Sequence, residues 1–510
     1  MRRLKKILGS RVPLLAFLVI LQIALLVLGI YRAALYYSLT WLITLISLVI
    51  AVYVINKDED SSYKISWCFL VLALPFVGSV LFLVCFGRKM PKRLAHGTIE
   101  ADSRMRGLLE QNPETRTRLA EEYPHLCRVF DQGLRVSGFP VYQNTAVTYF
   151  NSGEEFLPAF LEELRNAKQF IFLEYYIISV GWMWDQVLEV LKQKAAEGVE
   201  VKIIYDDFGC ALDLPRRYDR YLNSLGIEAY RFNRIRPALL MTMNNRDHRK
   251  IAVIDNETGF TGGLNLSDEY VNRTHPFGYW RDSAVMVKGE AVRTMTLMFL
   301  GMYTYLKNDE SEIDYSRYLP YKTCAGDPDA WYQPFSDTPT DEADMGLSMH
   351  VNLVNYAKKY IYIDTPYLVL NNDMMSALCR AAQSGVDVRI LVPSIPDKKS
   401  VYQITKSNFT KLITAGVRIY RYLPGFNHRK NFVCDDEVCL VGSVNTDYRS
   451  YFMQFEAGIL MRNTELAVHL RECFEKGLEE SEEITLEQCR NTNLLVRMFR
   501  GMLNLLAPLF

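Results

Sequence analysis

The chain has 510 residues, 49% apolar and 23% charged, with 58 Lys and Arg against 58 Asp and Glu. A chain of this size divides into about two to four domains of roughly 100–200 residues, and its composition excludes a disordered, collagen-like or coiled-coil protein. Zero net charge also argues against a generic nucleic-acid binder, which carries surplus Lys and Arg. The balance is a cancellation, however. Residues 1–93 hold 12 basic and three acidic residues, a net +9, and the remaining 417 hold 46 and 55, a net −9.

Three apolar stretches open the chain, at about 12–31, 33–55 and 65–86. Each is long enough to cross roughly 30 Å of hydrocarbon at about 1.5 Å per residue. The basic flank GRKMPKR (87–93) places the rest of the chain on the cytoplasmic side, yet the equally basic N-terminus asks for that side too, so two spans and three both remain open. Residues 1–90 thus read as a transmembrane region of a multi-pass membrane protein. Residues 91–140 read as a linker, with short helices over 102–111 and 115–135. Ten scattered cysteines, without CxxC or Cys/His zinc spacing, read as reduced thiols in a cytoplasmic body.

From about residue 141 short apolar runs alternate with amphipathic stretches, the α/β pattern of βαβ units around a buried sheet. Strands are predicted at 169–177, 199–205 and 227–232, with a helix over 182–197 that Gly198 stops. The same order returns as strands at 360–367 and 386–392 and a helix over 373–384 stopped by Gly385. EGVEVKIIYDD matches SGVDVRILVPS in character, and LGIEAYRFN matches AGVRIYRYL. Two homologous domains, 141–325 and 326–485, are expected in a pseudo-two-fold arrangement, sharing a site at their junction.

Each copy leads into one motif. The first is DHRKIAVIDNETGFTGGLN, with His248, Lys250, Asp255 and Asn265; the second is NHRKNFVCDDEVCLVGSVN, with His428, Lys430, Asp435 and Asn445. Histidine and lysine alternate along an extended segment and so share a face, and the following glycines let the chain bring asparagine back. Such a set suits a phosphodiester. Two lysines and two asparagines donate to the phosphoryl oxygens, one imidazole attacks phosphorus and the other protonates the leaving alkoxide. Each imidazole needs a carboxylate to hold its tautomer, and Asp282 and Glu456, which follow the two motifs, are the candidates. Asp255 and Asp435 join the catalytic set by spacing, although closing a turn is the stronger reading of both. No metal-ligand cluster is visible, so no metal or cofactor is expected.

The duplicated motif resembles the phospholipase D superfamily, and more closely its bacterial cardiolipin synthases. GGLNLSDEY, FGYWRDSAVMVKGEAV, GSVNTDYRSYFMQFEAGIL and the Trp67, Pro75 and Gly78 pattern of the third apolar stretch carry the likeness. Gly263 stands where many members of the superfamily have serine. The resemblance implies two phospholipase D-like α/β domains behind N-terminal transmembrane helices. It implies transfer of a phosphatidyl group between two phosphatidylglycerol molecules, giving cardiolipin and glycerol through a phosphatidyl-histidine. It points to His248 as nucleophile and His428 as acid, a choice the residues alone leave open. The alternatives are a hydrolase, a transferase to another alcohol, or a membrane scaffold that kept the fold; the acidic body speaks against nucleic acid as partner. The C-terminal segment 486–510 ends in NLLVRMFRGMLNLLAPLF, apolar with Arg497 and Arg500 and no acid, which suits a helix in the headgroup plane; a packed core helix is the other reading.

Overall fold

The apolar runs of the two copies pair into two sheets with the same strand order. The computed structural model describes residues 20–27, 33–85, 92–235, 244–307, 313–320, 324–340 and 343–509. In the first copy the strands are β1 Thr145–Phe150, β2 Phe170–Tyr175, β3 Glu200–Asp206, β4 Glu228–Phe232, β5 Arg246–Asp247, β6 Lys250–Ile254, β7 Thr258–Gly262, β8 Tyr279–Arg281 and β9 Ala284–Gly289. In the second they are β10 Trp331–Asp337, β11 Tyr360–Asp364, β12 Asp387–Pro393, β13 Arg418–Tyr422, β14 Gly425–Asn427, β15 Asn431–Cys434, β16 Val438–Gly442, β17 Gln454–Arg462 and β18 Ser481–Glu483.

The first sheet runs β1-β9-β7-β6-β2-β3-β4, and the second runs β10-β17-β16-β15-β11-β12-β13 with β18 at its edge. β2, β3 and β4 are parallel, as are β11, β12 and β13, because each is reached by a helical crossover. The motif strands β6 and β15 are antiparallel to β2 and β11, which places Lys250 opposite Tyr175 and Asn431 opposite Asp364. The C-terminal ends of the parallel strands and the N-terminal ends of the motif strands therefore share one edge in each sheet. Phe172, Leu173, Ile251 and Val253 are fully buried, each worth roughly 1.5–3 kcal/mol of transfer free energy. Phe172 stacks on Phe299 of the helix Val292–Lys307 at 4.6 Å, while the helix Trp182–Ala196 packs on β3 and buries Met183, Trp184, Val187, Leu188 and Leu191; Gly198 ends it at φ +89° as its sequence position predicts.

Asp255 and Asp435 are not brought to the histidines, which corrects their place in the catalytic set. Both open the tight turn of a hairpin, β6 to β7 and β15 to β16, at φ 54° and 56°, with Asn256 and Asp436 following at positive φ. Short polar residues favour that left-handed turn. The Asp255 carboxylate accepts from the backbone N–H of Lys168, Gln169 and Phe170 at 2.7, 2.7 and 2.8 Å. Asp435 does the same for Lys358, Lys359 and Tyr360. Each aspartate thus staples the start of a central strand.

Residues 92–137, expected as a linker with short helices, are largely helical. They form helices Lys92–Arg106, Pro113–Glu122 and Pro124–Ser137, because Pro113 and Pro124 each begin a helix at its first turn and Pro124 divides the predicted stretch 115–135. Leu119, Leu126 and Phe130 are fully buried, and Gln333 Nε2 donates to the carbonyls of Phe130 and Phe139. The body, Lys89–Ile235 with Met243–Arg500, is one compact unit.

A separate unit holds the N-terminal helices Ala33–Ile55, Ser61–Ala73 and Pro75–Cys85 with the C-terminal residues 501–510. Ile50, Val54, Tyr63, Trp67, Val71, Val77, Leu81 and Phe82 form its core. The stretch expected as a continuous third span is instead a helical hairpin. Pro75 has no N–H to continue the first helix, and the second folds back so closely that a Cβ on Gly78 would lie 2.3 Å from the Leu70 carbonyl oxygen. Most of the first expected span lies outside the described residues, of which 20–27 are helical. Among the described residues, no helix is long and apolar enough to cross a membrane.

Removing the Asp255 staple leaves three backbone N–H groups without their acceptor, two part-buried and that of Phe170 buried. Asp255→Ala is expected to lower the unfolding free energy by about 2–4 kcal/mol while the folded fraction keeps its activity, as chemical denaturation alongside a turnover assay would measure.

Candidate active site

Two short cross-repeat pairings build the site. β5, the two residues before His248, runs parallel to Gln454 and Phe455 of β17; β14, which ends just before His428, runs parallel to β8, which ends just before Asp282. The His248 N–H donates to the Phe455 carbonyl at 2.9 Å, and the His428 N–H donates to the Arg281 carbonyl at 2.8 Å. Each histidine is thereby set beside the carboxylate of the opposite repeat. His248 Nδ1 lies 2.9 Å from both Glu456 oxygens, and His428 Nδ1 lies 2.6 Å from Asp282 Oδ2. Glu456 and Asp282 are fully buried. In each dyad Nδ1 is engaged, which leaves Nε2 as the reactive nitrogen.

Lys250 and Lys430 are buried, and each ammonium donates to the carbonyl of the histidine two residues before it. Asn265 accepts from the Ile177 N–H at 3.0 Å and donates to the Tyr270 hydroxyl at 2.6 Å; Asn445 donates to Ser450 Oγ at 3.2 Å. The same amide thus anchors the residue five positions on in both copies. The Tyr176 ring stands edge-on to His248 at 4.9 Å, while Tyr270, Trp280 and Phe426 surround His428 at 5.6, 5.1 and 5.4 Å.

The family model described as "Cardiolipin synthase, PLD-like domain" matches residues 160–292 and 351–478, and one described as "Phospholipase_D-nuclease N-terminal" matches 41–85. The chain belongs to the cardiolipin synthase, PLD-like family. It is 32% identical to a cardiolipin synthase of Halalkalibacterium halodurans, over 98% of this chain and 99% of that one. It is 32% identical to cardiolipin synthase 1 of Staphylococcus aureus, over 92% and 96%. An uncharacterized protein of Streptococcus mutans is 37% identical over 90% of this chain and 98% of its own length. The solved phosphatidylserine synthase of Haemophilus influenzae shares the fold, with a TM-score of 0.58 at 14% identity over 75% of this chain and all of that one.

Within this member of the cardiolipin synthase family the two dyads are electrostatically unequal. Burial pushes His248 well below its ordinary value, and Lys250, Lys430 and His428 push it further. Burial and Lys430 take His428 to about 4, against the pull of Asp282. Burial likewise lowers Lys250 to about 7 and Lys430 to about 8. Glu456 is raised by burial to about 8, opposed by Lys250 and by the Ser443 hydroxyl that donates to it. Burial works against Asp282 too, but His428 and Lys430 outweigh it and hold that carboxyl below its ordinary value. His428 therefore faces a charged partner able to support an imidazolium, and His248 faces a largely neutral one.

The sequence reading missed a steric difference that accompanies this one. Gly263 and Ser443 occupy the same motif position, and a Cβ on Gly263 would come 2.0 Å from Asp282 Oδ1. The shorter Asp282 needs a glycine beneath it, whereas the longer Glu456 clears Ser443 and takes its hydroxyl as a donor. Aligning the copies shows both exchanges, Gly for Ser and Asp for Glu, and their coupling is visible only in space. Also missed was a buried polar support: Arg281 Nη1 donates to Asp364 at 2.6 Å and Asn427 at 3.0 Å, directly behind Asp282 and His428. On the other side Arg249 pairs with Glu174 and Asp247. The HRK triplet repeated in both copies was the available signal for Arg249.

Gly263→Ser should displace Asp282 and cut kcat at least tenfold, and Gly263→Ser with Asp282→Glu, which copies the second repeat, should recover much of it; steady-state turnover decides. A second expectation concerns pH. The folded value of His428, about 4, lies below the ordinary value of about 6.5, so the unfolded chain takes up a proton that the folded chain refuses. This contribution to stability is present above about pH 6.5 and is lost as pH falls toward 4. Tm measured from pH 7 to 4 should fall more steeply in the parent than in His428→Asn.

Proposed function

We propose that the chain transfers a phosphatidyl group from one phosphatidylglycerol to the glycerol hydroxyl of a second, forming cardiolipin and releasing glycerol. The observation that carries this reading is the reciprocal pair of dyads, each a histidine of one repeat held by a carboxylate of the other beside two buried lysines. Phosphatidyl transfer needs two imidazoles with opposite duties, and the unequal partners supply them. His248, held neutral, attacks phosphorus through Nε2, and the P–O bond to the headgroup glycerol breaks as His428 delivers its proton to that oxygen. The glycerol departs, leaving a phosphatidyl-histidine. His428 then takes the proton from the hydroxyl of the second phosphatidylglycerol, whose oxygen displaces His248 and completes cardiolipin. Lys250, Lys430, Asn265 and Asn445 are read as donors to the phosphoryl oxygens. The anionic diester restores the charge that burial takes from the lysines.

The same reading puts the chain at a membrane. The relatives named cardiolipin synthase and the match at 41–85 support membrane association. We infer a multi-pass anchor with the body on the cytoplasmic side. Trp41, Leu45, Leu48, Val49, Val52 and Ile55 are exposed along the helix Ala33–Ile55, a surface that suits lipid.

The test is lipid product analysis of the purified protein with phosphatidylglycerol as the sole phospholipid. Cardiolipin with an equal amount of glycerol is expected, while phosphatidic acid alone would indicate hydrolysis and no turnover a scaffold. His248→Ala and His428→Ala are each expected to lower turnover by at least 10³-fold; normal output from either would refute the two-histidine mechanism.

A further inference from the structure

The parallel strands of both repeats end at the edge that carries the histidines, and the loops that leave this edge are unusually apolar on the outside. After β2 come Val180 and Trp182, after β3 Phe208 and Leu212, after β12 Ile395 and after β13 Leu423, all strongly exposed. The first two turns of the C-terminal helix that begins at Leu494 belong to the same region. Arg500 Nε donates to Gln403 Oε1 at 2.9 Å, on the helix that starts at Lys399, four residues after Ile395. Leu495 is 73% exposed there and Phe499 57%. Among the described residues of the body, Ile99, Val136, Tyr221 and, just after β4, Ile235 are the exposed large apolar side chains that lie neither in these loops, nor on β8, nor on that helix. Soluble surfaces scatter such residues singly, so this concentration around a catalytic edge marks an interaction surface.

The charges between these apolar residues say what covers it. Arg216 and Arg217 follow Leu212, Lys398 and Lys399 follow Ile395, and the Arg273 guanidinium stacks on the Trp182 ring at 3.9 Å. Asp213 and Asp397 are the acids of the two basic loops beyond Asp207, which is paired with Arg231. Lys398 also reaches the site electrostatically, being one of the cations that depress His248. A protein partner of this enzyme would have to leave the mouth open for two lipids; a leaflet of anionic phospholipid supplies them.

We infer that this edge is a lipid-docking surface. Side chains such as Trp182, Leu212, Ile395 and Leu423 enter the outermost acyl layer of an anionic leaflet, and the interleaved arginines and lysines meet headgroup phosphates. The inference rests on the reading of the site as a phosphatidyltransferase, and it adds how a lipid reaches the histidines: the headgroup enters the mouth while the acyl chains stay in the leaflet. Bilayer insertion of a few exposed apolar side chains together with basic contacts is the usual physical basis of interfacial binding.

Two measurements on the full chain test it. The first uses vesicles of phosphatidylglycerol with brominated acyl chains, which quench tryptophan at acyl depth. Part of the quenching in the parent is expected to vanish in Trp182→Phe; equal quenching in the two overturns the inference, whether or not the protein makes cardiolipin. The second compares Leu212→Glu with Leu423→Glu, combined in one chain, against the parent on two substrates. On phosphatidylglycerol vesicles kcat/KM should fall at least tenfold, and on short-chain phosphatidylglycerol below its micelle concentration it should stay within twofold. Equal losses on both substrates, or none on vesicles, overturn the surface. A parent that makes no cardiolipin from either substrate refutes the function instead, and the quenching experiment still decides the surface.

Discussion

Everything at the catalytic edge depends on two backbone pairings, β5 with β17 and β14 with β8, each only two or three residues long. They lock the N–H of each histidine to a carbonyl of the other repeat, immediately before the carboxylate that holds its imidazole. Neither repeat by itself contains a complete dyad. The pairing also carries charged groups into the interior, where an unpaired charge would cost several kcal/mol. Arg281 meets Asp364 and Asn427, Arg249 meets Glu174 and Asp247, and Arg246 meets Asp206, so the desolvated charges arrive with partners. The interface between repeats is thus polar where it touches the chemistry, and its register is specified by hydrogen bonds that admit little slip.

Duplication gives two copies of one site, and the mechanism proposed above asks different duties of the two histidines. The divergence that separates them is small. His428 and Lys430 keep a charged carboxyl on Asp282, and burial keeps Glu456 protonated against His248 near neutral pH although the Ser443 hydroxyl pulls the other way. Burial lowers the basicity of both imidazoles, but the one with a charged partner retains more of it. Aromatic rings crowd His428 more than His248, although the two residues are equally buried.

Much of the α/β body was legible because its strands are short β-branched and aromatic runs bounded by Gly and charge, and because the repeat shows each element twice. Where reading failed, the reason was geometric. Asp255 keeps the same sequence distance from His248 as Asp435 does from His428, yet five strand residues from Lys250 span roughly 17 Å and put it at the opposite end of the sheet. Pro124 interrupts an amphipathic stretch that periodicity alone carries through, and Pro75 turns an apolar run into a hairpin that hydropathy cannot distinguish from a span. The helices over 92–137 read as a spacer because their apolar positions are few, yet Leu119, Leu126 and Phe130 are enough to seat them in the body.

The sequence by itself determined the residue types, the duplication and the spacing of each motif, since these depend only on local backbone geometry: alternation along a strand places histidine and lysine on one face wherever the strand lies. It also named both carboxylates. Only the tertiary structure decided which histidine each serves. Asp282 comes after the first motif and Glu456 after the second, but the parallel pairings between repeats exchange them, and no local rule reaches across the 208 positions between His248 and Glu456. The coupling of Gly263 to Asp282, and the gathering of apolar loops around one edge, are of the same kind: contacts made by strand ends that meet only after both sheets have formed.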